Sequence, residues 1–454
     1  METPMKATTV PGTARQVAET AAPARWDWVE KSVWTERMLH TLETGVKGGK
    51  WFSLIDKVYH PKNLESAATQ VVRNAGAAGV DHVNVKQYNR KRAENLHHLG
   101  EALRTGTFRP QAIRRVTIPK PGSPEGRPLG IPTVQDRVAQ TALRNVIEPI
   151  FEAEFAEHSY GFRPSRGCKD ALRRVQQLLN DGHLWVVDAD LKSYFDTIPH
   201  DRLMEDVRRK VSDGRILALI ESFLSQKILS DTAEWTPEMG TPQGAVISPL
   251  LANIYLNPLD HLAVEYGLEM IRYADDFVIL CKTEDTARRA LEMVQYWTVA
   301  RGLTLHPTKT KLLQVTTSQG FDFLGYHFRI SRKHPGRIVQ WPREKSISRL
   351  RERLRPVTRR SNGHSLLSII AAIVPVLRGF FEYFKHCRRR DLEPIDQWVR
   401  MRLRCILLKR AGGRGVAKGR AHQRWPNAFF EEQGLFSLVR AHDQLVQSSR
   451  RKNH

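Results

Sequence analysis

Apolar residues recur along the chain with two different periods, and the period changes from one segment to the next. Between Leu64 and Val72 they are spaced as on one face of a helix, which predicts an amphipathic helix there. Asn63 is placed to cap its N-terminus, and Gly76 and Gly79 are expected to end it. The first structured region is therefore predicted to be helical.

Short β-type runs then alternate with helices as far as residue 341. RRVTIPKPGSPEGRPLGIP (114–132) places two such runs around a Pro/Gly turn and predicts a hairpin. LWVVDADL (184–191) predicts a buried strand, and MIRYADDFVILC (270–281) predicts a strand, a tight turn and a strand. FDFLGYHFRISRKHPGRIVQW (321–341) predicts a hairpin that turns at His334 to Gly336. Helices are predicted between these runs, at Gln135–Glu154, Lys169–Leu179, within His200–Phe223 and at Asp285–Ala300.

Beyond Arg343 the pattern is helical and strongly basic. The segment from Arg343 to His454 holds 26 lysines and arginines against 9 aspartates and glutamates, so that +17 of the chain's +23 lies there. A solvated basic surface without a ligand is the usual meaning of one charge run, but an excess sustained this far favours a polyanionic partner, nucleic acid first. The chain is thus predicted to be α+β with a helical, nucleic-acid-binding C-terminal part.

Length and cysteine content limit the class of protein. A chain of 454 residues exceeds one compact core of ordinary size, and 41% hydrophobic residues are ample for two to four domains. The four cysteines form no pair with metal-ligand spacing, which indicates a reduced cytosolic protein without structural zinc. Residues 1–24 lack periodicity and an apolar signal core, and predict a flexible tail. The longest apolar run, Leu366 to Leu377, is short for a membrane span and contains Pro375, so no membrane partner is expected.

Carboxylates at the ends of two predicted strands carry the chemistry. Tyr273-Ala274-Asp275-Asp276 would project two adjacent carboxylates from a hairpin turn, and Asp190 follows the apolar run of the other strand. Asp188 and Asp196 are rival candidates on that second segment. Nucleotidyl transfer uses two metal ions about 3.5–4 Å apart, and three carboxylates from neighbouring strands can supply that clamp. A Y-x-D-D string alone is a weak signal, since Asp is common in turns.

The order of several motifs resembles the palm of reverse transcriptases. D-L-K-S-Y-F-D is followed by T-P-Q-G and then by Y-A-D-D. SYGFRPSRG (159–167), PQGAVISPLLANIYLNPLD (242–260) and RWPNAFFEEQGLFSLVRAH (424–442) resemble proteins encoded by group II introns in particular. The resemblance covers about residues 53–442. It implies a right-hand polymerase with fingers and palm, followed by an α-helical thumb or maturase domain.

The family's catalytic residues carry over one at a time. Asp190 and Asp275 match its metal-ligand aspartates, Asp276 matches a third, less direct carboxylate, and Leu191 would lend its backbone carbonyl. Phe195 matches the steric gate, an aromatic ring that occupies the space of a ribose 2′-hydroxyl; an ordinary core aromatic is the alternative. The resemblance therefore implies two bound Mg²⁺ ions and selection of deoxynucleoside triphosphates.

Other matched residues would hold the incoming nucleotide. Gln243 matches the nucleotide-pocket glutamine, and the adjacent Gly244 would let backbone approach the base pair. Lys120 and Arg127 match fingers residues that grip the triphosphate, although a solvated hairpin explains them equally well without the resemblance. Lys309 resembles a palm lysine proposed to protonate pyrophosphate. A plain surface lysine is an equal alternative, so Lys309 is left out of the predicted catalytic set.

The basic helical region resembles the thumb of intron proteins. RGFFEYF (378–384) stands where the family usually has R-G-W-x-x-Y, with Phe380 in place of Trp, and FDFLGYHF (321–328) resembles the hairpin that grips the primer. Arg388, Arg389 and Arg390 are predicted to bind RNA; the alternative is that they face solvent or pair with nearby acidic residues, Glu393 and Asp396. The Cys-paired His-Asn-His endonuclease of some relatives is not expected.

These inferences together predict an RNA-directed DNA polymerase that also acts as a maturase, in the bacterial cytoplasm. Its expected partners are group II intron RNA, a DNA target or primer, and deoxynucleoside triphosphates, with no expectation on oligomeric state. Two alternatives stay open, an RNA-binding splicing factor with an inactive polymerase site and an intron-free reverse transcriptase domesticated for defence or repair. The expected divisions are a tail at 1–25, an N-terminal extension and start of the fingers at 26–112, fingers and palm at 113–342, a thumb at 343–410 and a basic nucleic-acid-binding segment at 411–454.

Overall fold

The computed structural model describes residues 25–46, 48–119, 126–230 and 233–452. The tail expected at 1–25 thus lies outside the described residues except for Arg25. The described N-terminal region is helical, as expected: α1 (Glu36–Thr44), α2 (Ile55–Val58), α3 (Pro61–Asn74), α4 (Val85–Arg90) and α5 (Arg92–Thr105).

Helix α3 begins three residues earlier than the cap prediction. His60 is its N-cap, Pro61 fills the first turn, and Asn63 is buried inside the helix. The Asn63 side chain donates to the carbonyls of Lys57 and Ala142 at 2.9 and 3.0 Å. The prediction of Asn63 as cap was wrong because its amide bonds a neighbouring helix, a tertiary contact that sequence spacing does not reveal.

A small sheet follows the N-terminal helices and carries the predicted hairpin. β1 (Ile113–Pro119) pairs antiparallel with β2 (Gly126–Ile131), and β4 (Ile228–Leu229) and β5 (Glu234–Trp235) extend the sheet in the order β2-β1-β4-β5. The strands β1 and β2 confirm the predicted hairpin. The helices between β2 and β4 along the chain are α6 (Val134–Glu152), α7 (Cys168–Asn180), α8 (Tyr194–Thr197), α9 (His200–Arg208) and α10 (Gly214–Leu224).

The second sheet has the order β6-β7-β3-β8, built from β3 (Trp185–Asp190), β6 (Glu269–Tyr273), β7 (Asp276–Cys281) and β8 (Lys311–Gln314). Its alternating residues face two cores, as the two-residue period of a strand requires. Val187, Phe277 and Ile279 pack with the N-terminal helices, α11 (Ser248–Glu265) and α12 (Glu284–Ala300). Val186 and Val278 pack on the other face, which α7 covers. Both faces of the sheet are therefore buried, and the functional positions lie at its ends.

A three-stranded sheet connects this region to the C-terminal helices. β9 (Phe321–Phe323), β10 (Tyr326–Ile330) and β11 (Ile338–Pro342) pair antiparallel in the order β11-β10-β9, so the predicted hairpin has one more strand than expected. The helices that follow are α13 (Glu344–Leu354), α14 (Leu366–Phe384), α15 (Arg389–Arg410), α16 (Arg420–Arg424), α17 (Asn427–Glu432) and α18 (Leu438–Lys452). They enclose a separate apolar core. The α+β class with a helical C-terminal part is confirmed.

Helix α14 is longer than the apolar run that suggested it. Among the described residues, α14 is the one helix that is both long enough and apolar enough to cross a membrane, judged by length and composition alone. The argument that this run is too short therefore fails on length. Ile369, Ile373 and Leu377 on one side of α14 are nevertheless buried in the C-terminal core, as in a core helix of a folded domain.

Candidate polymerase site

Two of the three predicted catalytic carboxylates face each other across neighbouring strands. β3 ends at Asp190 and β7 begins at Asp276, and these two residues are directly paired in the antiparallel register. Asp275 lies in the β6–β7 turn beside Ala274, whose φ of 61° is left-handed. Side chains paired in this way lie on one face of a sheet with Cβ atoms about 5 Å apart. The structure thus brings Asp190, Asp275 and Asp276 to one end of the sheet.

The carboxylates at this end repel one another. Burial raises the pKa of Asp276 to about 7, and the negative charges of Asp188, Asp190 and Asp275 add to the rise. Burial also raises the pKa of Asp275, and it raises the pKa of Asp188 to about 6. Lys309 offsets part of this charge, because its Nζ lies 2.5 Å from Asp190 Oδ2. A site that accumulates negative charge in this way attracts cations.

The oxygen donors fit a hard divalent cation, although their arrangement is not that of a formed metal centre. Across the described ranges, no group of three or more His, Cys, Asp or Glu residues is arranged to hold a metal ion. The donors available are carboxylates and the carbonyl of Leu191, which is buried and accepts no hydrogen bond in the described chain. The neighbouring backbone bonds fall on Asp190 and Lys192 instead. All-oxygen donors are the ligands that Mg²⁺, Ca²⁺ and Mn²⁺ prefer.

A buried arginine fixes the turn that carries Asp275. Arg272, in β6, is fully buried and pairs with Asp260 of α11, which is 5% exposed. Its guanidinium also donates to the Ala274 carbonyl and to Asn253 Oδ1, both at 2.9 Å, and to Ser159 Oγ at 2.7 Å. The planar guanidinium of Arg272 therefore links the β6–β7 turn, α11 and the loop before α7.

Close backbone packing supports the same turn. A Cβ atom on Gly161 would lie 2.2 Å from the amide nitrogen of Ala274, so only glycine fits there. Asn253 donates to the Gly161 carbonyl at 2.8 Å while it accepts from Arg272. The motif SYGF and the helix after P-Q-G thus act as a scaffold for the aspartate turn.

A cavity of about 300 Å³ contains two predicted nucleotide-binding residues, whereas Asp190, Asp275 and Asp276 are not among the described residues that line it. Phe195 and Gln243 both line it, together with Asp196 and Arg115. The Phe195 ring is half-buried and makes an edge contact with Phe162, and the Phe195 carbonyl accepts from Thr241 at 2.6 Å. The segment that bears Gln243 is therefore fastened directly to the predicted gate residue.

Arg127 reaches the same cavity from the β1–β2 hairpin. Its Nε donates to Gln243 Oε1 at 3.0 Å, and Gln243 Nε2 lies 3.4 Å from Asp196 Oδ2. The Gly130 amide donates to the Gln243 carbonyl at 2.7 Å, which joins the hairpin to this loop. Lys120, the other predicted triphosphate ligand, lies outside the described residues.

The three arginines predicted to bind RNA differ in whether they have an acidic partner. Arg388 pairs with Asp391 at 2.9 Å, and Arg389 pairs with Asp443 at 3.2 Å. Arg390 is exposed and makes no ion pair among the described residues. The acidic partners that the sequence suggested were Glu393 and Asp396. Glu393 lies 3.7 Å from Arg389, whereas Asp396 is buried and accepts from the Leu438 and Val439 amides.

Sequence reasoning missed two residues of the site, Arg272 and Arg115. The signal for Arg272 was present, because a charged residue inside the apolar strand MIRY is rarely buried without a partner. Its partner Asp260 lies twelve residues upstream on a helix, and no spacing rule connects them. Arg115 follows another basic residue on an exposed hairpin and has no sequence feature that distinguishes it.

Comparisons with known proteins agree with this geometry. Residues 118–328 match the family described as "Reverse transcriptase (RNA-dependent DNA polymerase)", and residues 347–425 match "Group II intron, maturase-specific domain". "Protein YkfC" of Escherichia coli is 35% identical over 338 residues, which cover 64% of this chain and 88% of the relative. "Group II intron-encoded protein LtrA" of Lactococcus lactis is 38% identical over 179 residues, 39% of this chain and 30% of LtrA.

A solved structure, "Partial Cas6-RT-Cas1--Cas2 complex", matches at 26% identity over 54% of this chain and 41% of that one, with a TM-score of 0.36. At that TM-score the likeness adds nothing to the fold, which stands on the family matches and the strand order.

Proposed function

The chain belongs to the reverse transcriptases encoded by group II introns, which join a polymerase domain to a maturase domain, and we propose that it copies intron RNA into DNA at Asp190, Asp275 and Asp276. Its reverse transcriptase domain makes it an RNA-directed DNA polymerase. The observation that carries the assignment of the site is the direct pairing of Asp190 with Asp276 beside the Asp275 turn.

Reverse transcriptases use divalent metal ions, and we propose that two Mg²⁺ ions serve here. Asp190, Asp275 and the Leu191 carbonyl would hold them, with Asp276 as a less direct carboxylate. Bound Mg²⁺ would lower the pKa of the primer 3′-hydroxyl and neutralise the triphosphate. Lys309 donates to Asp190 in the structure, so its ammonium is within reach of any anion held at these carboxylates.

We propose that the cavity lined by Phe195 and Gln243 receives the incoming deoxynucleotide. Arg127 presents a guanidinium fork at its rim, a group suited to phosphate oxygens, while its Nε holds Gln243 in place. Phe195 lines the wall, where its ring would exclude a ribose 2′-hydroxyl. Arg115 lines the wall beside Asp196 and adds positive charge to the rim. Lys120 is proposed as a second phosphate ligand on sequence grounds alone.

The maturase domain supports a second role. Maturase and polymerase homologies imply that the chain binds intron RNA. We propose that it clamps this RNA in a splicing-competent fold, that a DNA target or primer enters the polymerase cleft, and that this happens in the bacterial cytoplasm. The basic segment after Arg343 supports both nucleic-acid partners, since phosphate contacts need cations. Arg388, Arg389 and Arg390 stay candidates for RNA contacts.

Extension of oligo(dT) on poly(rA) tests the polymerase assignment. The purified chain should incorporate dTTP when Mg²⁺ is supplied and should stop when a chelator removes it. An RNA-binding splicing factor with an inactive site would bind the intron RNA but extend no primer. A domesticated enzyme would extend the primer, but its gene would lie outside any recognisable intron ribozyme.

A further inference from the structure

A second cavity, of about 800 Å³, lies away from the polymerase site, and the described residues that line it include six lysines and arginines, two histidines and no aspartate or glutamate. The six lysines and arginines, here called the basic pocket, are Arg329, Arg332, Lys333, Arg337, Arg388 and Arg390. The pocket lies between the turn of the β10–β11 hairpin, the C-terminal end of α7 and the junction of α14 with α15.

The cations of the basic pocket are largely uncompensated. Lys333, Arg337 and Arg390 are exposed and form no ion pair or side-chain hydrogen bond among the described residues. Arg329 and Arg388 both lie over the ring of Trp341, each 5.1 Å from its centre. Only Arg388 has an acidic partner, Asp391. Such a concentration of like charge is unfavourable in the protein alone.

The side chain of Arg329 is the clearest case of uncompensated positive charge in the pocket. Its Nε is buried and has no hydrogen-bond acceptor in the described chain. Loss of water, followed by repulsion from Arg332, Arg388 and Arg390, lowers its pKa. A buried donor without a partner costs free energy unless a ligand satisfies it. An anion bound in the pocket would satisfy it.

The pocket lies towards the opposite end, from the carboxylates, of the β6-β7-β3-β8 sheet, here called the palm sheet. The Ile330 amide donates to Thr316, and the adjacent Val315 amide donates to Leu184, which immediately precedes β3. Asp190 is at the far end of that strand, five residues on from Trp185, or roughly 16 Å at about 3.3 Å per residue. An anion in the pocket is therefore not the triphosphate of the incoming nucleotide.

We propose that the basic pocket binds the phosphodiester backbone of a folded RNA, at a site separate from the polymerase cleft. Six cations exceed the charge of one phosphate, so the pocket suits several phosphates of one bent strand. The pocket joins α7, inside the reverse transcriptase match, to Arg388 and Arg390, inside the maturase match, so bound RNA would bridge the two domains. This inference rests on the proposed maturase function, because that function supplies the RNA.

A charge-matched pair of triple variants tests the pocket in the full chain. The first carries Arg332→Gln, Lys333→Gln and Arg337→Gln, three exposed residues that the β10–β11 turn contributes to the pocket. The control carries Arg208→Gln, Arg288→Gln and Arg289→Gln, exposed arginines that already pair with acidic neighbours. Melting curves of both should match that of the wild type. The probe is the transcript of the DNA that flanks and includes the coding sequence.

Binding is measured across a salt series, with primer extension on poly(rA)/oligo(dT) as the second measurement. Each lost phosphate contact flattens the plot of log affinity against log salt by about 0.7–0.9, so the pocket variant should lose about two units of slope while the control keeps the wild-type slope. Extension should be equal in all three proteins. Equal slopes in pocket variant and control overturn the inference, even when the wild type copies RNA. A wild type that extends no primer refutes the polymerase assignment and leaves the slope comparison to judge the pocket.

Duplex DNA of matched length serves as the competitor. Two results together would assign the pocket to DNA and overturn the RNA proposal. The duplex would displace the transcript from the wild type as effectively as unlabelled RNA does, and the affinity for the duplex would fall in the pocket variant by the same factor as the affinity for RNA. The RNA proposal is supported if the wild type and the control bind the folded transcript in preference to duplex DNA and the pocket variant does not.

Discussion

Replacing Arg272 with methionine should both destabilise the folded protein and release the turn that carries Asp275. The substitution leaves Asp260 as an uncompensated buried charge and removes the donors to Ala274, Asn253 and Ser159. Breaking a buried pair from one side costs about 3–5 kcal/mol. That is a large part of the roughly 5–15 kcal/mol by which folded domains are stable. Arg272→Met should therefore lower the urea midpoint strongly.

A second variant, Arg272→Met with Asp260→Leu, removes both charges. Apolar replacement of a buried pair is often neutral or stabilising, so this protein should regain about 3 kcal/mol or more over the single variant. Its polymerase activity should stay low, because the Ala274 carbonyl still lacks the donor that fixes the turn beside Asp275. A shift of about 1 Å near reacting groups can cost on the order of 100-fold in rate.

Urea unfolding and primer extension per folded molecule measure the two effects. Arg301→Met is the matched control, since Arg301 also pairs with a buried aspartate, Asp206, but among the described residues forms no ion pair or side-chain hydrogen bond with the β6–β7 turn or with residues 159–162. It should lose stability and keep the activity of its folded fraction. Arg272→Lys, which keeps the charge but not the fork, should fall between wild type and Met. Full activity in the stable double variant would refute the idea that Arg272 positions the turn.

Three further results are expected. Asp275→Asn should abolish DNA synthesis at any Mg²⁺ concentration while RNA affinity, from filter binding, stays nearly unchanged; extension at the wild-type rate would remove Asp275 from the site. Phe195→Val should lower discrimination against ribonucleotides by about 1–3 kcal/mol, measured as the ratio of kcat/KM for dNTP and NTP. Burial raises the pKa of Asp136 to about 7. The folded state therefore keeps this proton longer than the unfolded state, and stability should fall as pH rises from about 4 to 7. Asp136→Asn should flatten that fall, and an unchanged slope in urea unfolding would contradict the assignment.

Most strands and helices could be predicted because their signals are local. The short apolar runs in 184–191 and 270–281 and the Gly/Pro turn in 114–132 specify β3, β6, β7 and the first hairpin without long-range information. The pairing of Asp190 with Asp276 was expected only through the family's motifs. Strand adjacency over 86 residues is a property of the folded sheet, and no local pattern encodes it.

The failures have a common physical origin in tertiary contacts. Asn63 has the residue type of a cap, but its side chain bonds a neighbouring helix. Arg388 and Arg389 look equivalent to Arg390 in a basic run, yet their acidic partners lie three and 54 residues away. Charge in a sequence shows which residues could bind RNA. The packing decides which of them remain free to do so.

The order of strands in the palm sheet also has a consequence for biosynthesis. β3 is central, and both of its neighbours, β7 and β8, come later in the chain, β8 ending at Gln314. About 120 residues must therefore be translated after Asp190 before its strand is paired on both sides. At roughly 5–20 residues per second this takes on the order of ten seconds. The nascent chain cannot copy RNA during that interval, because the strand that carries Asp190 has not yet been paired on both sides.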